Sequence, residues 1–313
     1  MLILIAGITG NIGQHAARHA LNTGHTVRGL GRSPSKLASD ISTRLESFIE
    51  SKTYYDIPAL DLACKNVDAV ICAYAGLPEL HLDGQLLLLR AAERADVKRF
   101  LAAGWNYDWR RIPFGSEPVY DAAIMFHAQA SISSSIRPCH IFSGMLVEVF
   151  FGAGGQVGFG TEFDGVWDGP SPDSKKEKKM QIWGTGDEMW QFTTEKDAGA
   201  WGVEVVTAPG AEEGGFVELC SFQTSLNDLR RAYERVRDIK VKVQMMGPVE
   251  GLYKKAEEGR ERLGRRGFWE WHRGVFHGNC VSGVWNLRDL QNERFPNVRA
   301  QSLEGFLREH PDV

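Results

Sequence analysis

The chain has 313 residues, enough for one large domain or for two lobes around sizeable cores. Its 36 basic and 40 acidic residues give a net charge of −4, and this near balance argues against a nucleic-acid or membrane-surface partner. No apolar run approaches the roughly 18 residues of a membrane span, and the first residues already predict a core strand, so we expect neither a membrane anchor nor a signal peptide.

The first predicted strand, residues 2–6, runs directly into a glycine-rich turn. Its apolar residues are typical of a strand buried on both faces, and an alanine-rich helical pattern begins at Gln14. Such a strand, turn and helix bring backbone N–H groups close to a pyrophosphate, which the helix dipole also favours. The pattern predicts a dinucleotide site, the alternative being a plain strand–helix turn. The predicted contacts are Gly7, Thr9, Gly10, Asn11, Ile12 and Gly13.

The second predicted strand, residues 25–30, ends in a tip that selects the nicotinamide cofactor. An acidic residue here binds the ribose 2′-hydroxyl of NAD, whereas an arginine accommodates the 2′-phosphate of NADP. The tip carries Arg32, with Ser33 and Lys36 as further donors and no carboxylate beside them. The sequence therefore favours NADP(H), the alternative being that these basic residues only face solvent.

The following strands and helices alternate as in a doubly wound parallel sheet. Strands are predicted at 47–49, 68–72, 99–103 and 136–142, and helices at 57–64, 80–95 and 119–131. This alternation predicts an α/β fold with a Rossmann-type parallel sheet. Ligands of such sheets lie at the carboxyl ends of the strands, where the turns between strands and helices converge. The further predicted cofactor contacts in these turns are Ala73, Tyr74, Ala75, Ala103 and Gly104.

From about residue 145 the alternation ends. Glycines cluster at 152–169, and residues 173–179 form a charged stretch that we expect to be an exposed hairpin or loop. Further strands are predicted at 180–183, 190–194 and 216–220, and helices at 195–207, 225–237 and 249–263, with Thr193 or Thr194 capping the helix at 195. The pattern predicts a smaller mixed α/β lobe. We assign residues 1–150 to an NADP-binding Rossmann domain and 151–313 to a substrate-binding lobe.

Three motifs resemble those of the atypical short-chain dehydrogenase/reductases, and among them most of all the NmrA-like and isoflavone-reductase-like proteins. They are the runs at 7–13, 28–34 and 99–104, and the runs at 144–148, 183–186 and 194–197 are similar to that family's landmarks between its two lobes. The resemblance implies a Rossmann domain with a small substrate lobe, a preference for NADP, and members that are reductases or redox sensors. In it, Arg32 matches the arginine that binds the 2′-phosphate.

The resemblance also implies catalytic residues that this sequence lacks. Reductases of this group carry a lysine on the helix after the fifth strand, and other short-chain enzymes carry Tyr-x-x-x-Lys there. The first lysine aligns with Ala123 and the second with Ile124, and the expected serine or threonine is Ala103. Without the lysine, we expect Tyr120 to titrate near its reference pKa of about 10 and to be a slow acid. The sequence therefore predicts an atypical catalytic site.

Three residues are candidates for the proton donor. Tyr120 and His127 share one face of the predicted helix, and Asp108 follows the fifth strand in a polar and aromatic segment. The structural alternatives are a cavity wall for Tyr120, packing or solvent exposure for His127, and a turn cap for Asp108. His140, inside a predicted strand, is more simply a hydrogen-bonded core histidine. The predicted substrate wall consists of Trp105, Asn106, Trp109 and Met145.

The remaining histidines and the cysteines do not predict a metal site. His15 and His19 lie on the first helix opposite its buried alanines, so we expect them in solvent. His272, His277 and Cys280 have a loosely ligand-like spacing but lack a fourth partner. The chain's 5 cysteines are scattered and contain no CxxC, which indicates reduced, buried thiols.

Taken together, the residues and the resemblance predict a cytoplasmic NADPH-dependent reductase. Its substrate would be a hydrophobic aromatic small molecule, of polyketide or phenolic type, in secondary metabolism. We expect a monomer or homodimer without nucleic-acid or membrane partners. Two alternatives remain open. One is a non-redox isomerase, cyclase or dehydratase on the same scaffold, and the other is a regulatory protein that senses NADP(H).

Overall fold

A computed structural model describes residues 1–76, 78–155, 159–161, 165–168 and 178–313. The strands are β1 (Leu2–Ala6), β2 (Thr26–Gly31), β3 (Ser47–Glu50), β4 (Ala69–Cys72), β5 (Arg99–Leu101), β6 (Cys139–Phe142), β7 (Met145–Leu146), β8 (Lys178–Trp183), β9 (Met189–Thr193), β10 (Gly215–Glu218), β11 (Phe222–Ser225) and β12 (Val241–Gly247). The α-helices are α1 (Asn11–Asn22), α2 (Ser39–Ser42), α3 (Ile57–Cys64), α4 (Gln85–Arg94), α5 (Pro118–Ser133), α6 (Val147–Phe151), α7 (Glu195–Thr207), α8 (Leu226–Arg237), α9 (Val249–Leu263), α10 (Phe268–Ser282) and α11 (Leu303–Glu309). In the described part of the chain, none of these helices combines the length and apolar character of a membrane span.

The centre of the fold is a seven-stranded parallel sheet in the order β10-β6-β5-β4-β1-β2-β3. Strand β4 is buried along its whole length and β1 along all but its first residue, because helices cover both faces of the sheet. The strand order reverses between β1 and β4, and at such a point a crevice opens at the carboxyl ends. The prediction of a Rossmann-type doubly wound sheet is confirmed.

The smaller sheets pair strands that are not neighbours in the sequence. Strands β8 and β9 lie on either side of the turn at 184–186, yet they belong to different sheets. Strand β8 pairs with β12, whereas β9 pairs with β11 and β7. The predicted exposed stretch at 173–179 lies largely outside the described residues. Its last two residues begin β8, where Lys178 is buried, so the prediction was wrong at that position.

After β9, the chain returns to the large sheet. Helix α7 packs along α1, and β10 pairs with β6 at the edge of the sheet. Thr194 caps α7 as predicted, because its side chain accepts a hydrogen bond from the backbone N–H of Asp197. Residues 195–218 therefore lie with the large sheet, although they follow the predicted domain boundary at residue 150.

The contact between α1 and α7 corrects one prediction. His19 Nε2 lies 2.8 Å from Glu204 Oε1 on α7. His15 is half-buried beside the same helix, and this burial lowers its pKa to about 4. The expectation that both histidines face solvent was wrong, because a helix from much later in the sequence covers that side of α1.

A glycine in α7 allows the two helices to meet, and its replacement tests the contact. A Cβ on Gly199 would lie 2.6 Å from the backbone nitrogen of Ala16. We expect Gly199→Ala to lower the free energy of unfolding by about 1–3 kcal/mol, as overpacking does. Urea denaturation measures the change. The control is Gly305→Ala in α11, where the nearest atom is a serine side-chain oxygen at 3.2 Å; equal stability of the two variants would contradict the prediction.

Candidate functional site

The glycine-rich turn between β1 and α1 brings backbone against backbone. Gly7 has a φ of +81°, and a Cβ on it would lie 2.6 Å from the carbonyl oxygen of Ala73. A Cβ on Gly13 would collide with the carbonyl oxygen of Gly7. Helix α1 begins after Gly10 without a capping side chain, and its first three amides have no acceptor among the described residues. This helix N-terminus fits a phosphate group.

The tip of β2 lies next to this turn and is basic. Thr9 Oγ1 lies about 3.5 Å from where a Cβ on Gly31 would be, so the turn and the strand end are adjacent. Arg32 follows Gly31, is exposed, and makes no ion pair within the described residues. Ser33 precedes a short 3-10 turn that ends at the exposed Lys36. The tip therefore offers a guanidinium, a hydroxyl and an ammonium group to an anion.

The other predicted cofactor residues follow the two neighbouring strands. Ala73, Tyr74 and Ala75 come after β4, and Ala103 and Gly104 come after β5. The backbone N–H of Ala103 donates to the buried side chain of Gln85 at 2.5 Å, which fixes this turn on α4. Since β5, β4, β1 and β2 are consecutive in the sheet, all of the predicted cofactor residues lie in a row at the carboxyl ends of these strands. We call this row the cofactor edge.

A cavity of about 610 Å³ opens beyond β5 and β6. Its lining is mainly apolar and combines two strand-end turns with the helix α10. The lining residues are Trp105, Asn106, Gly144, Met145, Leu146, Val149, Phe159, Trp269, His272, Arg273 and Phe276. A cavity of this size and character suits a small aromatic molecule.

Three of the four residues predicted for the substrate wall, Trp105, Asn106 and Met145, line this cavity. Trp109 does not. It is 4% exposed and meets the rings of Phe142 and His140 edge-on, with centroids 5.5 Å away in each case. The chain turns between 105 and 109, so that Trp109 packs against the sheet instead of facing the cavity.

A buried carboxylate–imidazole pair lies at the cavity wall. His272 Nδ1 lies 2.7 Å from Glu117 Oε1 and 2.9 Å from Glu117 Oε2. Glu117 is the N-cap of α5 and is completely buried, whereas His272 lines the cavity. We did not single out either residue as catalytic from the sequence. The two are 155 positions apart, and only a glutamate before a helix-starting proline and a histidine in an aromatic run mark them.

The predicted proton donors Tyr120, His127 and Asp108 are not among the described residues that line the cavity. Tyr120 is 3% exposed, with its ring edge-on to Trp285 at 5.1 Å, and burial raises the pKa of its hydroxyl well above the usual value. The expectation that it titrates near 10 was therefore wrong. His127 lies against the sheet, where its Nδ1 is 3.2 Å from Nε2 of His140.

His140 is a buried, hydrogen-bonded core histidine, as predicted. Burial lowers its pKa to about 3, and burial also lowers the pKa of His127. Two neutral imidazoles therefore share this hydrogen bond near pH 7, each ring providing either the donor or the acceptor.

Asp108 is held by the two arginines that follow it. Its Oδ1 accepts a hydrogen bond from Arg110 Nε and its Oδ2 one from Arg111 Nε, both at 2.7 Å. It also caps the turn by accepting from the backbone N–H of Arg110. Burial raises the pKa of Asp108, but these hydrogen bonds outweigh that effect and lower it overall. His127 and Arg110, the partner of Asp108, both contact the ring of Phe216, whereas Tyr120 packs against Trp285.

Two carboxylates, those of Glu148 and Glu195, lie beside the N-terminus of α1. The side-chain amide of Asn11 donates to Glu195 Oε1 at 3.2 Å, and the backbone N–H of Glu195 donates to both oxygens of Glu148 at 3.0 Å. Burial, together with the charge of Glu195, raises the pKa of Glu148 to about 8. The start of α7 is thereby joined both to α1 and to α6.

The sequence also contains His and Cys groupings with loosely ligand-like spacing. Within the described residues, no three His, Cys, Asp or Glu side chains cluster as metal ligands do. Cys64, Cys72, Cys139, Cys220 and Cys280 are all free and buried, as expected. Burial raises their pKa values, for example to about 12 for Cys64.

Comparison with known proteins places this geometry in context. The model of the NmrA-like family matches residues 1–276. The phenylcoumaran benzylic ether reductase PT1 of Pinus taeda is 27% identical over 250 residues, which cover 75% of each chain. Among solved structures, the ternary complex of leucoanthocyanidin reductase from Vitis vinifera has a TM-score of 0.76 at 17% identity and 99% coverage of both chains. AtPrR2 with NADP+ and (+)pinoresinol has a TM-score of 0.74 at 19% identity, covering 98% of this chain and 97% of that one.

The raised pKa of Glu148 predicts a pH dependence of stability. A carboxyl whose pKa is higher in the folded state than its ordinary value of 4.5 favours folding fully below pH 4.5, and this contribution is lost as the pH rises to about 8. Between pH 5 and pH 8, ionisation of Glu148 should lower the free energy of unfolding of the wild type by an amount on the order of 3 kcal/mol. The variant Glu148→Gln, which cannot ionise, should not show this decrease. Urea unfolding at several pH values measures it. Parallel pH profiles for wild type and variant would refute the assignment.

Proposed function

Because this chain belongs to the NmrA-like family, we propose that it is an NADPH-dependent reductase of a hydrophobic aromatic small molecule. The relatives named above include a phenylcoumaran benzylic ether reductase and a leucoanthocyanidin reductase. A substrate of phenolic or polyketide type, in secondary metabolism, is the extension of these relationships to this chain. We further propose that the protein is cytoplasmic and acts as a monomer or homodimer.

One observation carries the proposal. Ala103 and Gly104 end the row of predicted cofactor residues, and Trp105 and Asn106, next in the chain, line the aromatic cavity. The cofactor edge and the substrate cavity are therefore neighbours along a single stretch of four residues. A hydride acceptor in the cavity would lie beside a nicotinamide on that edge, as transfer requires.

The residues present fit NADPH. The uncapped N-terminus of α1 and the close-packed glycines fit a pyrophosphate, and Arg32, with Ser33 and Lys36, fits the 2′-phosphate. The bound cofactor supplies a hydride. The chain's own contribution is to hold the substrate and to exclude water, through the apolar wall that includes Trp105, Met145 and Phe276.

A non-redox isomerase, cyclase or dehydratase is the second candidate. It is favoured by Ala123 and Ala103, which stand where the resemblance places a lysine and a serine or threonine. A regulatory protein that senses NADP(H) is the third. For the reductase, Tyr120, His127 and Asp108 are the sequence-derived candidates for proton delivery, although none of them is among the described residues that line the cavity.

The cofactor assignment predicts the effect of removing Arg32. We expect NADPH to bind more tightly than NADH, and Arg32→Ala to weaken NADPH binding by about 10- to 100-fold while leaving NADH unchanged, because a charge-assisted contact with the 2′-phosphate is lost. Energy transfer from tryptophan to the nicotinamide reports binding. Arg137→Ala, an exposed arginine before β6, is the control. Equal binding of NADPH and NADH by the wild type would contradict the assignment.

The reaction type predicts the fate of a labelled hydrogen. We expect a product formed from NADPH deuterated at C4 of the nicotinamide to carry deuterium, with substrates drawn from aromatic ketones, enones and phenolic benzylic ethers. Mass spectrometry of the product measures the label. Product that forms without deuterium, or without NADPH, would establish the non-redox candidate instead.

A further inference from the structure

We propose that His272 is the proton donor to an oxygen atom of the ligand in the aromatic cavity, and that Glu117 is its positioning residue. This assignment rests on the proposed function for the identity of the reaction. The identity of the residue rests on the Glu117–His272 pair and on the cavity that His272 lines.

The cavity wall singles out His272. Among the described lining residues, the ionisable side chains are His272 and Arg273. An arginine guanidinium stays protonated in proteins and therefore cannot serve as a proton donor, whereas an imidazole both releases and regains a proton near pH 7. None of the lining residues is a lysine, tyrosine, aspartate or glutamate. The residue in contact with the ligand that can exchange a proton is thus the histidine.

Glu117 determines which nitrogen of the ring faces the ligand. A completely buried carboxylate requires a partner, and His272 is its ion-pair partner within the described part of the chain. Because Nδ1 donates to Glu117, Nε2 is the nitrogen left for the cavity. The ring of Phe268 stacks on the imidazole with centroids 4.9 Å apart and planes 19° from parallel. The imidazole of His272 is therefore held at Nδ1 by the Glu117 carboxylate and on one face by the Phe268 ring.

The carboxylate itself is fixed from its own helix. Glu117 also accepts a hydrogen bond from the backbone N–H of Val119 at 3.3 Å, as the N-cap of α5. It thus connects α5, on the large sheet, with α10, which closes the cavity. Such an arrangement keeps the imidazole in one tautomer and stabilises its protonated form without the carboxylate taking up the proton.

When a hydride adds to the carbon of a carbon–oxygen bond, the carbon is reduced, NADPH is oxidised to NADP+, and an electron pair of that bond moves to the oxygen. The proton leaves Nε2 of the His272 imidazolium and forms an O–H bond with this oxygen. The ring becomes neutral while Glu117 stays ionised, and a proton from solvent restores the imidazolium after product release.

A matched pair of ligands tests the assignment without any turnover. 4-Nitrophenol and 4-nitrotoluene have the same ring and similar size, but only the phenol offers an oxygen in place of the methyl group. We expect His272→Gln to weaken the binding of 4-nitrophenol by about 10- to 100-fold, through loss of a hydrogen bond to a charged group, and to change the binding of 4-nitrotoluene little. His25→Gln, at the amino end of β2, is the control and should alter neither affinity.

The outcomes separate the possible roles. Equal weakening of both ligands in the His272 variant would make the histidine a packing residue and overturn the proposal, and so would failure of the wild type to bind either ligand. Unchanged 4-nitrotoluene binding also shows that the variant is folded. Failure of NADPH to bind, with the discrimination between the two ligands intact, would remove the reductase but leave His272 as the residue that contacts the ligand oxygen.

The role of Glu117 has its own readout. In protein labelled with ¹⁵N in the histidine rings, we expect a hydrogen-bonded Nδ1 proton that disappears in both His272→Gln and Glu117→Gln. With a substrate found by deuterium transfer, both variants should lower kcat, His272→Gln by about 10²- to 10⁴-fold, while the affinity for NADPH stays unchanged. A Glu117→Gln variant that keeps the Nδ1 proton signal and the wild-type kcat would overturn the positioning role.

Discussion

Backbone contact at glycines holds the fold together around α1. On one side of this helix, Gly13 lies so close to the turn after β1 that a side chain would strike the carbonyl of Gly7. On another side, Gly199 brings the backbone of α7 against that of α1. Helix α1 is thus fixed from both the start and the middle of the chain. These two close contacts, neither of which leaves room for a Cβ, fix the N-terminal amides of α1 at the carboxyl ends of the strands.

The same contact places part of the latter half of the chain, α7 and β10, against the large sheet. Helix α7 leads into β10, which adds to the large sheet beside β6. Between β6 and α7 the chain forms α6 and the strands β7, β8 and β9 of the two smaller sheets. Glu195 at the start of α7 contacts both Glu148 and Asn11. This segment contributes Met145, Val149 and Phe159 to the cavity wall and is joined at Glu195 to Asn11, a predicted cofactor residue.

The sequence was informative where structure depends on neighbours in the chain. Buried strands, the glycine turn and the cap at Thr194 are local patterns, and the position of the cofactor edge follows from parallel topology alone. Pairings between distant segments carry no such signal: β8 lies beside β12, α7 covers His15 and His19, and Lys178 begins a buried strand edge. Each of these depends on burial by elements that the local pattern does not identify.

The candidate site divides in the same way. Trp105, Asn106 and Met145 were found because they follow strands directly, whereas Trp109 lies a turn later and faces the other way. Asp108 is paired with Arg110 and Arg111, its neighbours in the sequence, an ion-pair cluster that was not predicted. The far wall, with His272, comes from α10, which was not predicted, and its partner Glu117 is remote in sequence. A site assembled across such a distance is visible only in three dimensions.

The four residues from Ala103 to Asn106 serve the cofactor edge at one end and the cavity wall at the other. Any shift of this segment when one molecule binds alters the surface offered to the second. Thermodynamic linkage then requires reciprocity: whatever factor the cofactor contributes to the affinity for an aromatic ligand, that ligand returns to the cofactor. Under the proposed function, this one short peptide segment would carry such a coupling between the two molecules.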